Sequence, residues 1–117
     1  MDRENAADVV QRWLRAVVKG PVDDLDELFL GDASEHKARA SAVRAALDGI
    51  EGEVDDLVVE GDRVAWRWTV TGRHTGELAG VAPSGSQVAI RGVNFQRIDG
   101  AVVVEHWTSI DLSELRN

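Results

Sequence analysis

VAIRGVNFQRIDGAVVVEHWTSIDL, residues 88–112, reads as two β-strands joined at Asp99-Gly100. An Asp-Gly pair between alternating apolar residues is the strongest short-range hairpin signal. Side chains two apart share a face of a strand. One face of the first strand therefore carries Val88, Ile90, Gly92, Asn94, Gln96 and Ile98, and one face of the second carries Val102, Val104, His106, Thr108 and Ile110. Each set is apolar at its ends and polar in the middle. An apolar wall with a few uncharged hydrogen-bonding groups at its centre is how a small-molecule pocket is lined.

Working back from the hairpin, Gly76 to Gln87 is rich in Gly, Pro and Ser and reads as a broad loop. Before it, RVAWRWTVTGRH (Arg63 to His74) is a long strand with Val64, Trp66, Trp68 and Val70 on one face. Gly61-Asp62 is a turn, and Glu53 to Glu60 alternates weakly as a further strand. The first part of the chain has helical periodicity instead. Asn5 to Lys19 carries a stripe of Val9, Val10, Trp13, Leu14, Val17 and Val18, ended by Gly20-Pro21. Asp23 to Leu30 is a short acidic helix, Gly31 to His36 a connecting segment, and Arg39 to Leu47 a third helix whose end Gly49 and Gly52 punctuate. Helices followed by consecutive antiparallel strands predict one α+β domain over 1–117, with three N-terminal helices covering a curved, mostly antiparallel sheet.

Parity then divides the strand residues. The covered, concave face takes Trp66, Trp68, Val88, Ile90, Asn94, Gln96, Val104, His106 and Thr108. The other face takes Arg67, Thr69, Arg91, Val93, Phe95, Arg97, Val103, Glu105 and Trp107. That outer face is too apolar around Phe95 and Trp107 to be left in water, and a second copy packed sheet to sheet is the expected cover. Arg67, Arg97 and Glu105 are placed to pair across strands there.

The composition narrows the chemistry. At 117 residues the chain is one domain. It has no cysteine, which removes disulfides and thiol or Cys–zinc chemistry, and no tyrosine, which removes any mechanism that needs a phenol. The net charge of −8, with no run of Lys or Arg, argues against nucleic acid and anionic membrane surfaces. The start MDRENAADVV lacks a signal-peptide core, so a cytoplasmic protein is expected. No His, Asp or Glu spacing suggests a metal and no Gly-rich phosphate loop is present, so no cofactor is expected.

GDRVAWRWTVTGRHTGEL, APSG, VAIRGVNFQRIDG and VVEHWTSIDL, with the amphipathic first helix, LDELF and DASEH, resemble the SnoaL-like polyketide cyclase family of the NTF2-like superfamily. The resemblance spans nearly the whole chain. It implies an NTF2-like cone in which three helices close a bent sheet around a deep apolar pocket, with dimers through the sheet. It also implies cofactor-independent ring closure of a polyketide by aldol chemistry, using an acidic residue just after the His-Trp pair. Here Thr108 holds that position, and Asn94 holds the neighbouring position that is often His or Asp. Neither titrates near neutral pH. Ketosteroid-isomerase chemistry would need a tyrosine and an aspartate near Lys37, and epoxide-hydrolase chemistry an Asp-Arg-Asp set in the pocket; neither pattern is present.

His106 is then the expected acid/base group, with Asn94, Gln96 and Thr108 orienting a carbonyl or a water. Trp66, Trp68 and Ile90 would shape the substrate site and His36 would stand near its entrance. The ligand would be hydrophobic, a polyketide-like or other apolar cyclic compound undergoing cyclisation, isomerisation or hydrolysis. Each residue has a plainer reading: His106 as a neutral core histidine, the amides as a self-satisfied network, the tryptophans as core, and His36 as a solvated loop residue. Because Thr108 and Asn94 stand where acid/base residues are expected, the alternative is a non-catalytic ligand-binding or accessory protein, and a cavity filled by Trp66 and Trp68 would leave a scaffold or interaction domain. His74 is expected to hold the end of its strand and the loop after it.

Overall fold

The computed structural model describes residues 2–116. Helix α1 (Arg3–Val18) is followed by α2 (Asp24–Leu28) and α3 (Ser34–Ala46), then by strands β1 (Leu47–Glu60), β2 (Arg63–His74), β3 (Gln87–Asp99) and β4 (Val102–Asp111), and a 3₁₀ turn at Ser113–Arg116. The sheet is an antiparallel meander in the order β1-β2-β3-β4. The expected α+β cone is thus present.

Local chemistry starts and stops the first helix. The Asp2 carboxylate accepts from the Asn5 N–H at 2.8 Å and caps the α1 N-terminus. At the other end Arg44, reaching over from α3, donates to the carbonyls of Val17 and Ala16 at 2.8 Å each, and to that of Gly20. One guanidinium thereby satisfies carbonyls that the helix end leaves open, where the helix dipole favours a cation. The α1 stripe of Val9, Val10, Trp13, Leu14 and Val18 is buried, as its spacing predicts, and Leu25 and Leu28 of α2 join it in the core.

Four expectations are corrected. First, α3 begins at Ser34 rather than Arg39, so His36 sits on a helix and not in a connecting segment. The Asp32 carboxylate accepts from both the N–H and the hydroxyl of Ser34 and starts it. SEHKARASAVRAA has too narrow an apolar stripe to show its period early. Second, α2 is shorter than Asp23 to Leu30: Phe29 is already extended, bridging to Val103 in parallel. Third, β1 begins at Leu47, well before Glu53. Gly49, with φ +62°, lies where the β1–β2 register shifts, which is glycine's use in a bulge rather than helix punctuation. At Gly52 a Cβ would stand 3.2 Å from the Leu14 side chain, so its absence lets α1 lie close on the strand.

Fourth, the β3–β4 register slips between Arg97 and Ile98. Val104 is the extra residue, and parity inverts around it. Val103, expected outside, is fully buried, and Val104 leaves the pocket floor. The Val103 carbonyl accepts from the Leu30 N–H at 2.9 Å, tying the end of α2 to the sheet. Beyond the bulge, His106, Trp107 and Thr108 keep the faces expected of them.

On the outer face Phe95 and Trp107 stand edge to face with centroids 5.6 Å apart, 38% and 51% exposed. Arg97 pairs with Glu105 at 2.8 Å as expected, while Arg67 lies 3.7 Å from Asp56. His74 is fully buried with neither ring nitrogen hydrogen-bonded among the described residues. Its backbone, not its ring, holds the following loop: its N–H donates to Ser86 and its carbonyl accepts from Gly85.

Arg44→Met should lower the unfolding free energy by about 2–3 kcal/mol, the scale for losing charge-assisted bonds to helix-end carbonyls. Urea denaturation checks this, and Arg44→Lys, which lacks the planar fork, should restore only part of the loss.

Candidate functional site

The site begins with two tryptophans on β2. Trp66 and Trp68 point to the covered face, and their indole N–H groups can only donate. The acceptors come from the neighbouring strand. Trp66 Nε1 donates to Gln96 Oε1 at 3.1 Å, and Trp68 Nε1 donates to Asn94 Oδ1 at 3.0 Å. Each partner is a diagonal neighbour, because the residues directly opposite are Asn94 for Trp66 and Gly92 for Trp68. Gly92 is required there: a Cβ would run into the Trp68 ring. A glycine inside a strand marks such a close approach.

The network continues into β4. Thr108 Oγ1 donates to Asn94 Oδ1 at 2.7 Å, and Gln96 Nε2 lies 2.9 Å from His106 Nδ1. The His106 ring stacks on Trp13 of α1 with centroids 4.9 Å apart and planes 23° apart. His36 of α3 meets His106 edge-on at 4.9 Å, and Phe29 meets His36 edge-on at 4.6 Å. Burial, and then the charges of His36 and Arg39, push the His106 pKa down to about 4. His36 is also lowered, first by burial and then by Arg39, with Glu35 opposing. At neutral pH the His106 ring is uncharged.

These groups border a cavity of about 250 Å³ between helices and sheet. Trp13, Leu14, Val17, Leu25, Ala40, Val43, Trp66, Trp68, Val70, Leu78, Ala79, Ile90, Ile110 and Leu112 give it an apolar wall. The polar side chains on it are His36, Arg39, Asn94, His106 and Thr108. No Asp or Glu among the described residues lines it, and among them no group of His, Cys, Asp and Glu is arranged to hold a metal.

The structure therefore brings His106, Asn94, Thr108, Trp66, Trp68, Ile90 and His36 together on one cavity. Gln96 is the exception. It is fully buried behind the wall and touches the cavity through His106. Sequence reasoning missed five contributors. Trp13 was legible as a core residue of α1 but not as the plate under His106, because that contact joins residues 93 apart in sequence. Arg39 and Ala40 depend on the position of α3. Leu78 and Ala79 come from the Gly/Pro-rich loop, where Ala79 and Gly80 take φ of +51° and +78° in a tight turn.

The SnoaL-like polyketide cyclase family model matches residues 7–117. No curated protein matches the chain. Among solved structures, TsrD from Streptomyces laurentii superposes with a TM-score of 0.86 at 24% identity, over 99% of this chain and 95% of that one. AclR from Streptomyces galilaeus, a candidate hydroxylase, gives 0.81 at 26% identity, over 96% and 81%. IdmH from Streptomyces antibioticus, a candidate polyketide cyclase, gives 0.76 at 25% identity, over 94% of each.

Gly92→Ala should force the Trp68 indole off Asn94 and cost about 1–3 kcal/mol, the range for overpacking. Loss of the Trp68 indole N–H protection from hydrogen exchange would report it, with Trp66 unaffected. The buried His106 also sets a pH dependence. In the unfolded chain it takes a proton near its ordinary value of 6.5, in the folded chain only near 4. Between these values the unfolded state holds more protons, so stability falls as pH drops through this window. From pH 7 to 5 the loss should be about 2 kcal/mol from His106, with His36 adding in the same direction. His106→Phe, which keeps the stack on Trp13, should flatten that dependence in urea denaturation.

Proposed function

The chain belongs to the SnoaL-like polyketide cyclase family, and from that premise we propose that it acts on a polyketide-like or other apolar cyclic small molecule without a cofactor. The observation that carries this reading is the cavity itself: apolar walls, three tryptophans, and a small uncharged polar centre at His106, Asn94 and Thr108. A flexible chain of carbonyls folded into such a space would be held near its reactive geometry, and confinement of that kind is worth several kcal/mol of barrier. Cyclisation or isomerisation of an activated carbonyl compound is the kind of reaction that such confinement serves. His106, Asn94 and Thr108 would face the reacting oxygen, Trp66, Trp68 and Ile90 would shape the site, and His36 with Arg39 would stand on the α3 side.

One observation favours a second reading. With no carboxylate on the wall among the described residues and His106 uncharged, the cavity equally suits a protein that binds such a molecule and passes it on unchanged. Incubation with linear and cyclic polyketide mimics separates the two. Turnover that falls at least tenfold in Asn94→Leu supports the enzyme. Saturable tryptophan quenching by a ligand recovered unchanged supports the binder. Absence of both would remove the small-molecule reading.

The outer face belongs to the same proposal. Phe95, Trp107 and Val93 expose apolar surface on the uncovered side of the sheet, and a second copy is the expected cover. Trp107→Glu should convert a dimer to a monomer in sedimentation without changing ligand binding.

A further inference from the structure

We infer that the Trp66–Gln96–His106 relay holds His106 as the tautomer with its proton on Nε2, so that His106 and Asn94 present two hydrogen-bond donors to the cavity, and that the ligand they select is a ketone or quinone whose oxygen only accepts. The inference rests on the small-molecule reading of the cavity and specifies what it takes.

The argument is one of donors and acceptors. An indole N–H cannot accept, so the Gln96 group facing Trp66 is its oxygen. The amide NH₂ is then the group 2.9 Å from His106 Nδ1. An NH₂ only donates, so Nδ1 must offer its lone pair. A neutral imidazole carries one proton, which therefore sits on Nε2. Turning the Gln96 amide over would set its NH₂ against the Trp66 N–H, leaving that donor unpaired beside a fully buried residue. A second proton on His106 would collide with the same NH₂. Nε2 has no hydrogen-bond partner among the described residues, and His106 lies on the cavity wall.

Asn94 is oriented by the same rule. Its Oδ1 accepts from both Trp68 Nε1 and Thr108 Oγ1. Its NH₂ has no acceptor among the described residues, and the residue also borders the cavity. Asn94 and His106 are diagonal neighbours across β3 and β4, since Asn94 pairs with Thr108 and Gln96 with His106. Thr108, whose proton is engaged by Asn94, adds one acceptor. His106 thus has no lone pair to offer a substrate proton, and its part is to donate to a carbonyl oxygen. Gln96 is a positioning residue that acts through His106.

The test uses the full chain, ¹⁵N-labelled, at neutral pH. Long-range ¹H–¹⁵N correlation should show His106 Nδ1 as pyridine-like and Nε2 as pyrrole-like. α-Tetralone and tetralin are then titrated by tryptophan fluorescence. Tetralone should bind about tenfold tighter, two hydrogen bonds offsetting the carbonyl's desolvation, and it alone should shift the His106 Nε2 proton. Gln96→Glu keeps the shape but accepts at both oxygens. It should move the proton to Nδ1 and abolish the tetralone preference. A protonated Nδ1 in the wild type overturns the inference, whether or not the variant folds. Tetralin binding more tightly than tetralone overturns it too, while leaving the small-molecule reading standing. If neither probe binds, both fall.

Discussion

Two indole N–H groups turned into an apolar interior impose the constraint on which the rest of this site depends. A buried donor without an acceptor costs on the order of 1–3 kcal/mol. Trp66 and Trp68 each need an oxygen within reach on β3, and Gln96 and Asn94 supply them. Once those bonds form, both amides are oriented, and the orientation passes to β4 through His106 and Thr108. The sheet fold makes this possible because antiparallel registry brings residues far apart in sequence within one side chain's reach. Packing obeys the same centre: Gly92 is bare because the Trp68 ring lies over it.

Much of this was legible in the sequence because a strand has a period of two. The alternation in residues 88–112 put Ile90, Asn94, His106 and Thr108 on one face, and RVAWRWTV put Trp66 and Trp68 there with them. The missed features are those that break a period or join distant segments. The extra residue Val104 reverses parity at one end of β4, and nothing in the string of three valines marks which of them is extra. Gly49 and Gly52 look like the end of a helix when read alone, but serve a bulge and a close helix–strand contact. Gln96 has the parity of a wall residue and is nonetheless behind the wall, because His106 covers it. Trp13 under His106 depends on how α1 lies on the sheet, which a local pattern does not contain.

The electrostatics of the fold follow a division between surface and interior. The chain carries a net charge of −8, yet the cavity wall carries no carboxylate among the described residues. The acidic side chains are spread over exposed positions, many of them on β1, the edge strand of the sheet, where charge discourages further strand pairing. On the cavity wall, the titratable side chains among the described residues are His36, His106 and Arg39. Burial and Arg39 act together to lower the pKa of both histidines. The cavity is therefore a low-dielectric space in which a few oriented dipoles matter more than they would in water.

This bears on the position where the family pattern expects an acid. Thr108 is held by a hydrogen bond that it gives to Asn94 Oδ1, the atom that also accepts from Trp68. A carboxylate at 108 would face that oxygen, acceptor against acceptor. Relief would require the Asn94 amide to turn over, which would set its NH₂ against the Trp68 N–H and leave that donor buried and unpaired. A single exchange of Thr108 for Asp would therefore not install a working base in this chain. The acid would need a different partner at 94, and 94 in turn is tied to the tryptophan at 68. The uncharged centre is one linked set of choices running from β2 to β4, and the chemistry available to the cavity is the chemistry of that set.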